Sequence, residues 1–390
     1  MSADVRSARD APPRWPGVAI TLTLVTVLLL LLGLLMSFSA SIVDAAQAGD
    51  AFGTFRRQAM WAALAVPTFF LAARIPLARL RTASWPFLGG VTVLLALVLV
   101  PGVGLTRFGA TRWLGVGGLS FQPSELAKLA LLLWLADVLQ RKRPTDGTLH
   151  TTPHLLVPAV PVLLVLALLV MLQPDLGTTI LLALIVGAIL FVEGLRLRLL
   201  AGAVALGAAA VTALVLAAPY RVARIRGWLF AEQYPQAEGF QLMQSWVALG
   251  SGGWFGLGLG SSRAKWNFVP NPETDFVFAI VGEELGFVGA VGLLLLFLVL
   301  LFLGLHAAVN ARPGLERTVA FTVTVWVVGQ AFVNVGTVIG LLPITGVTLP
   351  LVSAGGTSLL VTMAALGLLV NVARRPAGDA GTVPAEGARR

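Results

Sequence analysis

Ten apolar runs recur along the chain, at 17–37, 58–73, 85–100, 124–139, 155–172, 178–192, 199–219, 276–305, 319–338 and 358–372. Several fall short of the ~20 residues that nominally cross a bilayer, but together they leave little room for a water-facing surface. Hydrophobic residues make up 57% of the 390, charged residues 12%, and the mean hydropathy is +0.89, which excludes an ordinary soluble protein. The expected fold class is therefore all-α: a polytopic integral membrane protein of about ten transmembrane helices.

Charge fixes the expected orientation. With a cytoplasmic N-terminus, seventeen Lys and Arg fall on inside segments and four, Arg56, Arg57, Arg107 and Arg112, in short outside loops. That asymmetry follows the positive-inside rule and places both termini in the cytoplasm. The organisation read from it is a tail over 1–16, a membrane domain over 17–372 with a long extracytoplasmic loop over 220–274 before the eighth span, and a disordered tail over 373–390. No small-residue cleavage site follows the first apolar run, so that run is read as a retained helix. A net charge of +9 would suit nucleic acid, but the basic residues are scattered through short loops and membrane topology accounts for them. With no cysteine and three histidines, disulfides, thiolate sites, cysteine nucleophiles and a His-rich metal centre are excluded or disfavoured.

A loop as long as 220–274 in a compact chain is usually functional, so chemistry is expected at the outer face. Its end, Pro272-Glu273-Thr274-Asp275, leads into an apolar helix from Phe276, which places Asp275 at a helix N-terminus at the membrane surface. Capping of that helix and a functional carboxylate are both open readings of this stretch. Ala279, Gly282 and Gly286 lie on the face below Asp275 and predict a close approach by another helix. Glu283 and Glu284, deeper in the apolar run, are either functional or paired with a buried cation. In the fourth span, Gln122-Pro123-Ser124-Glu125-Leu126-Ala127-Lys128 puts Glu125 and Lys128 on one helical face, as a self-neutralising pair or as cavity residues. A second Gln-Pro run, Gln173-Pro174-Asp175, opens the sixth span from the same side, and with Arg112 could line one polar cavity. Arg221 and Arg224 start the long loop, where they could grip a phosphate in pairs or sit among anionic headgroups. The glycines of 250–260 follow no strand and precede no P-loop lysine, so a nucleotide site is rejected. Two prolines and a Gly pair interrupt 342–358, which is read as a re-entrant segment facing the outer cavity.

The motifs QPSELAK, QPDLGT, GFQLMQS with the glycine run, PETDFVFAIVGEELG and GLLPITGVTLPLVSAGGTSLL, in this order and spacing, resemble the SEDS family (shape, elongation, division, sporulation), which includes FtsW and RodA. The resemblance covers nearly the whole chain from the first span to Val372. It implies a peptidoglycan glycosyltransferase of the bacterial cytoplasmic membrane that polymerises lipid II with a class B penicillin-binding protein and other division or elongation membrane proteins. It implies that Asp275 is the essential aspartate of the TDF motif, as general base or as ligand of a divalent cation such as Mg or Mn. Glu125, Lys128 and Glu283 match the family's polar cavity residues, and Arg112, Asp175, Arg221, Arg224, Ser353, Gly355 and Gly356 join them as candidate substrate-binding residues. Ala354 departs from the pattern, which usually has tyrosine there. Thr348 before Leu349-Pro350, and Arg56-Arg57-Gln58, look more like the division type. A lipid II flippase is the rival; it would need the same cavity open to both faces.

Overall fold

The computed structural model describes residues 17–374 apart from 48, 51, 108, 117–118, 143–151, 235, 238, 264 and 266–272. The expected tails, 1–16 and nearly all of 373–390, lie outside the described residues. Each apolar run is a helix: α1 (Gly17–Gln47), α2 (Gly53–Ala72), α3 (Leu77–Val98), α4 (Pro123–Arg141), α5 (Thr152–Leu172), α6 (Leu176–Val192), α7 (Leu197–Leu216), α10 (Val277–Asn310), α11 (Leu315–Val338) and α12 (Gly356–Ala373). Seven of these are long and apolar enough to cross a membrane, while α2, α4 and α6 are shorter, less apolar or more charged. The long loop adds two shorter helices, α8 (Pro219–Leu229) and α9 (Phe240–Ser251).

The polar helices are the inner ones. Helices α4 and α11 are buried over most of their length, and α12 packs on α2 and α11. Helix α7, by contrast, has no buried residue. In lipid an exposed apolar helix costs nothing, so the chain spends its polar side chains on the helices that meet other protein. At the end opposite Asp275, buried Asp137 of α4 accepts from Arg81 Nε (2.8 Å) and Ser84 Oγ (3.1 Å) of α3 and from Arg141 Nε (2.9 Å), pinning α3 to α4.

The stretch read as an outside loop around Arg112 is a three-stranded antiparallel sheet: β1 (Gly104–Arg107), β2 (Ala110–Val116) and β3 (Leu119–Phe121), in that order. Leu105 pairs with Trp113, and Leu114 with Phe121. The sheet fixes Arg112 on a strand and delivers the chain into α4 at Pro123, whose missing N–H is harmless in a first turn.

Helix α10 breaks at Gly286 (φ 70°, ψ −169°), a conformation open essentially to glycine. The glycine run fills the break. Leu257 N donates to Glu283 O (2.9 Å) and Gly258 N to Glu284 O (3.1 Å), while Phe287 N and Val288 N donate to Gly253 O (2.8 Å) and Trp254 O (3.1 Å). The small-residue stripe below Asp275 does admit a close approach, although the partners are α9 and this loop: a Cβ on Gly282 would strike Leu249, and one on Gly286 would lie 2.6 Å from Trp254 O. Gly286→Ala is accordingly expected to cost about 2–3 kcal/mol through the forbidden backbone region. Thermal unfolding in detergent checks it; an unchanged midpoint would mean that the break is dispensable.

Candidate active site

Asp275 lies in the turn 273–276 that leads into α10, and that turn is tied both to the segment between α11 and α12 and to α11 itself. Ala354 N donates to Glu273 O (2.8 Å), Ser353 Oγ to Thr274 O (2.5 Å), and Asn334 Nδ2 to Asp275 O (2.8 Å). The 342–355 segment is non-helical and largely inward, with Val347, Leu349, Leu351 and Val352 buried. Its peptide groups are met by side chains of α11: Gln330 Nε2 to Thr348 O (3.0 Å), Asn334 Nδ2 to Val347 O (2.7 Å) and Thr337 Oγ1 to Pro343 O (3.2 Å). That is how irregular backbone survives at membrane depth.

Asp275 keeps one side open to the surface. Desolvation of its other sides raises the carboxyl from the usual 3.8 to about 6, against the pull of Arg112, a hydrogen bond with Thr274 and the charge of Arg224; the charge of Asp175 pushes the same way as burial. A Cβ on Gly346 (φ 71°) would stand 3.5 Å from Asp275 Oδ2, so the glycine leaves space directly beside the carboxylate. Gly177, at the start of α6, differs: a Cβ there would strike Thr345 O at 2.7 Å.

Arg112 is anchored by the turn before α6: its Nε donates to Gln173 O (3.0 Å) and its Nη2 to Pro174 O. Asp175 caps α6, accepting from Thr178 N (3.0 Å) and Thr178 Oγ1 (2.9 Å), and also from Gln122 Nε2 (3.2 Å) at the head of α4. The two Gln-Pro turns thus meet each other across the site. A turn below, Lys128 pairs with Glu125 at 2.8 Å, a contact too misaligned for a hydrogen bond that therefore acts as an ion pair. Lys128 also donates to Gln330 Oε1 (3.1 Å) and lies 5.2 Å from the centre of the Trp326 ring.

Other candidates sit apart from this group. Glu283 accepts from Ser262 Oγ (2.5 Å) and Arg263 N (2.9 Å), and Glu284 from Ser39 Oγ (2.6 Å), Ser262 N (3.2 Å) and Lys265 Nζ (3.4 Å). Both carboxylates therefore anchor the loop that holds Ser262, Arg263 and Lys265. For Glu284 the buried-cation reading is the one observed. Arg221 Nη1 donates to Leu214 O (2.8 Å), closing the end of α7, whereas Arg224 is exposed and its charge reaches Asp275. Gly355 N donates to Gln58 Oε1 (3.2 Å), and Gly356 packs directly on the Trp61 indole, where a Cβ has no room. Since the tie from position 354 to Glu273 runs through the backbone, alanine there preserves it.

Sequence reasoning passed over Gln330 and Asn334. Their signal was present, because Gln330, Asn334 and Thr337 follow helical spacing through an apolar run. An open hollow of about 620 Å³ on the lipid side of α2, lined by Val66, Pro67, Phe70, Leu71 and Arg74, lacks converging polar groups and is not the site.

Residues 20–377 match the family model described as "Cell cycle protein" that groups FtsW, RodA and SpoVE. The chain is 41% identical over 351 residues to the probable peptidoglycan glycosyltransferase FtsW of Mycobacterium tuberculosis, covering 90% of this chain and 66%, just under two thirds, of that relative's length. It is 40% identical to stage V sporulation protein E of Bacillus subtilis, covering 90% of this chain and 96% of that one. Among solved structures, a chain of the one described as "Structural coordination of polymerization and crosslinking by a peptidoglycan synthase complex" superposes with a TM-score of 0.73 at 34% identity, over 90% of this chain and 96% of the other. The rod shape determining protein RodA of Thermus thermophilus gives 0.66 at 32% identity, over 90% and 95%. The chain is a multi-pass membrane protein that belongs to the FtsW/RodA/SpoVE family of cell cycle proteins, the SEDS family.

Proposed function

We propose that the protein is a peptidoglycan glycosyltransferase that polymerises lipid II at the outer face of the bacterial cytoplasmic membrane, with both termini inside. The observation that carries this is Asp275, a carboxylate raised to about 6 at the outer end of α10, with two arginine charges within reach. A sugar hydroxyl is a poor nucleophile until a base takes its proton, and a base that titrates near 6 is ionised at neutral pH yet basic enough to accept it. The hydroxyl oxygen then bonds to the anomeric carbon of the donor, and the bond from that carbon to the polyprenyl pyrophosphate breaks. Negative charge grows on the departing pyrophosphate. Arg112 and Arg224 are placed to stabilise it.

Holding a divalent cation is the other proposed role of Asp275. Among the described residues no group of three or more His, Cys, Asp or Glu could hold a metal, and both oxygens of Asp175 are already engaged. Asp275 would then hold the ion together with substrate phosphates, an arrangement common for Mg²⁺. When bound, such an ion would neutralise the pyrophosphate.

A class B penicillin-binding protein is the proposed partner, with division rather than elongation as the setting. The function is tested by incubating the purified protein with labelled lipid II, with and without that transpeptidase. Glycan strands are expected. Transbilayer movement of lipid II without polymer would instead support a flippase.

The arginines offer a separate test. Arginine binds phosphate oxygens in pairs and lysine cannot, so the double change Arg221→Lys, Arg224→Lys is expected to raise the KM for lipid II about tenfold, with Arg224 contributing most. A saturation curve overlapping the parent's, in a membrane of fixed composition, would leave these residues as headgroup contacts.

A further inference from the structure

We infer that Asn334 is a positioning residue for Asp275: one amide group, donating to the carbonyls of Asp275 (2.8 Å) and Val347 (2.7 Å), sets the carboxylate against the segment that forms the facing wall of the site. The inference rests on the glycosyltransferase reading and adds a residue of α11 to it.

The argument begins with what could hold the 273–276 turn in place. Its helix cannot, because Asp275 lies before the first helical residue, Val277, and no side chain caps α10. The preceding tie, from Ala354 N to Glu273 O, joins the turn to the segment before α12 but stops two residues short of the carboxylate. Ser353 reaches Thr274, one residue short. Asn334 reaches Asp275 itself, and it does so from a helix buried on nearly every side.

The same amide also holds Val347, next to Gly346, whose missing side chain leaves the space beside Asp275 Oδ2. Two walls of the site are therefore referenced to one atom, Asn334 Nδ2. Asparagine at 1% exposure in an apolar helix is costly unless its hydrogen bonds repay it, and here both donors are spent on backbone carbonyls. Thr337, one turn on, makes a comparable contact to Pro343 O (3.2 Å) without touching the turn. It separates a general role in supporting the segment from a specific role in placing Asp275.

The experiment uses full-length protein reconstituted with its transpeptidase partner, scored for kcat and KM with labelled lipid II and for thermal unfolding. Because displacing a reacting group by ~1 Å can cost about 100-fold, Asn334→Ala is expected to lower kcat by about that factor with KM within about twofold. Thr337→Val is expected to stay within about threefold of the parent in both constants. If Asn334→Ala does not fold, Asn334→Ser decides the matter: it adds no buried charge and can keep at most one of the two ties, so kcat falls while the chain folds. Parental kcat in whichever Asn334 variant folds overturns the inference. So does an equal loss in Thr337→Val, which would make the effect one of general loosening. A parent that makes no polymer under these conditions defeats the glycosyltransferase reading itself, a result distinct from either.

Discussion

Asp275→Asn is expected to reduce glycan synthesis by about 10³-fold or more while the protein remains inserted and folded, since a positioned acid–base group contributes about 10²–10⁴-fold. The amide keeps the volume and removes the proton acceptor or cation ligand. In the parent, activity should fall as pH drops through about 6, where the carboxyl takes up its proton. Stability should move the other way. A carboxyl whose folded value is raised from 3.8 to about 6 contributes most below pH 4 and loses that contribution as pH rises to 6. At neutral pH the charged, half-buried side chain is therefore a burden, and Asp275→Asn should unfold at a slightly higher temperature than the parent. Polymerisation assays and melting curves on the same preparations check both halves. Comparable glycan synthesis by the folded variant would sink the catalytic assignment.

Single changes in the Glu125–Lys128 pair carry the second large expected effect. Lys128 is fully buried and is held by Glu125, Gln330 and the Trp326 ring, so Glu125→Gln leaves a cation, and Lys128→Met an anion, with its charge uncompensated inside the protein. Each is expected to cost about 3–5 kcal/mol of stability. The double variant, Glu125→Gln with Lys128→Met, removes both charges and should recover most of that loss. If the pair instead shapes the substrate site, the double variant folds and stays inactive. Recovery of glycan synthesis along with stability would return the pair to a purely architectural role.

The helical scaffold could be read from the chain because hydrocarbon imposes its rule locally: each apolar run must satisfy its own backbone, so each run is a helix. The place of Asp275 was legible for a related reason, since a proline-rich stretch followed by an apolar run marks a helix start, whereas its role stayed open between capping and function. What could not be read depends on contacts between distant segments. The strands around Arg112 are short and glycine-rich, with no alternation that distinguishes them from a loop. Glu283 and Glu284 were open between function and pairing with a buried cation, because their partners, Ser262, Arg263, Lys265 and Ser39, belong to the 252–265 loop and to α1. The work of Asn334 emerges only once the 342–355 segment is folded back against α11.

The break at Gly286 has a mechanical consequence. Four peptide groups of α10 and four of the glycine run are joined pairwise there, and separating them in an apolar layer would leave each without a partner, at a cost of several kcal/mol apiece. The stub of α10 that starts beside Asp275 is therefore bound to the loop that carries Trp254 and Phe255, both exposed, so that parting the two is costly and the loop is expected to stay with the stub.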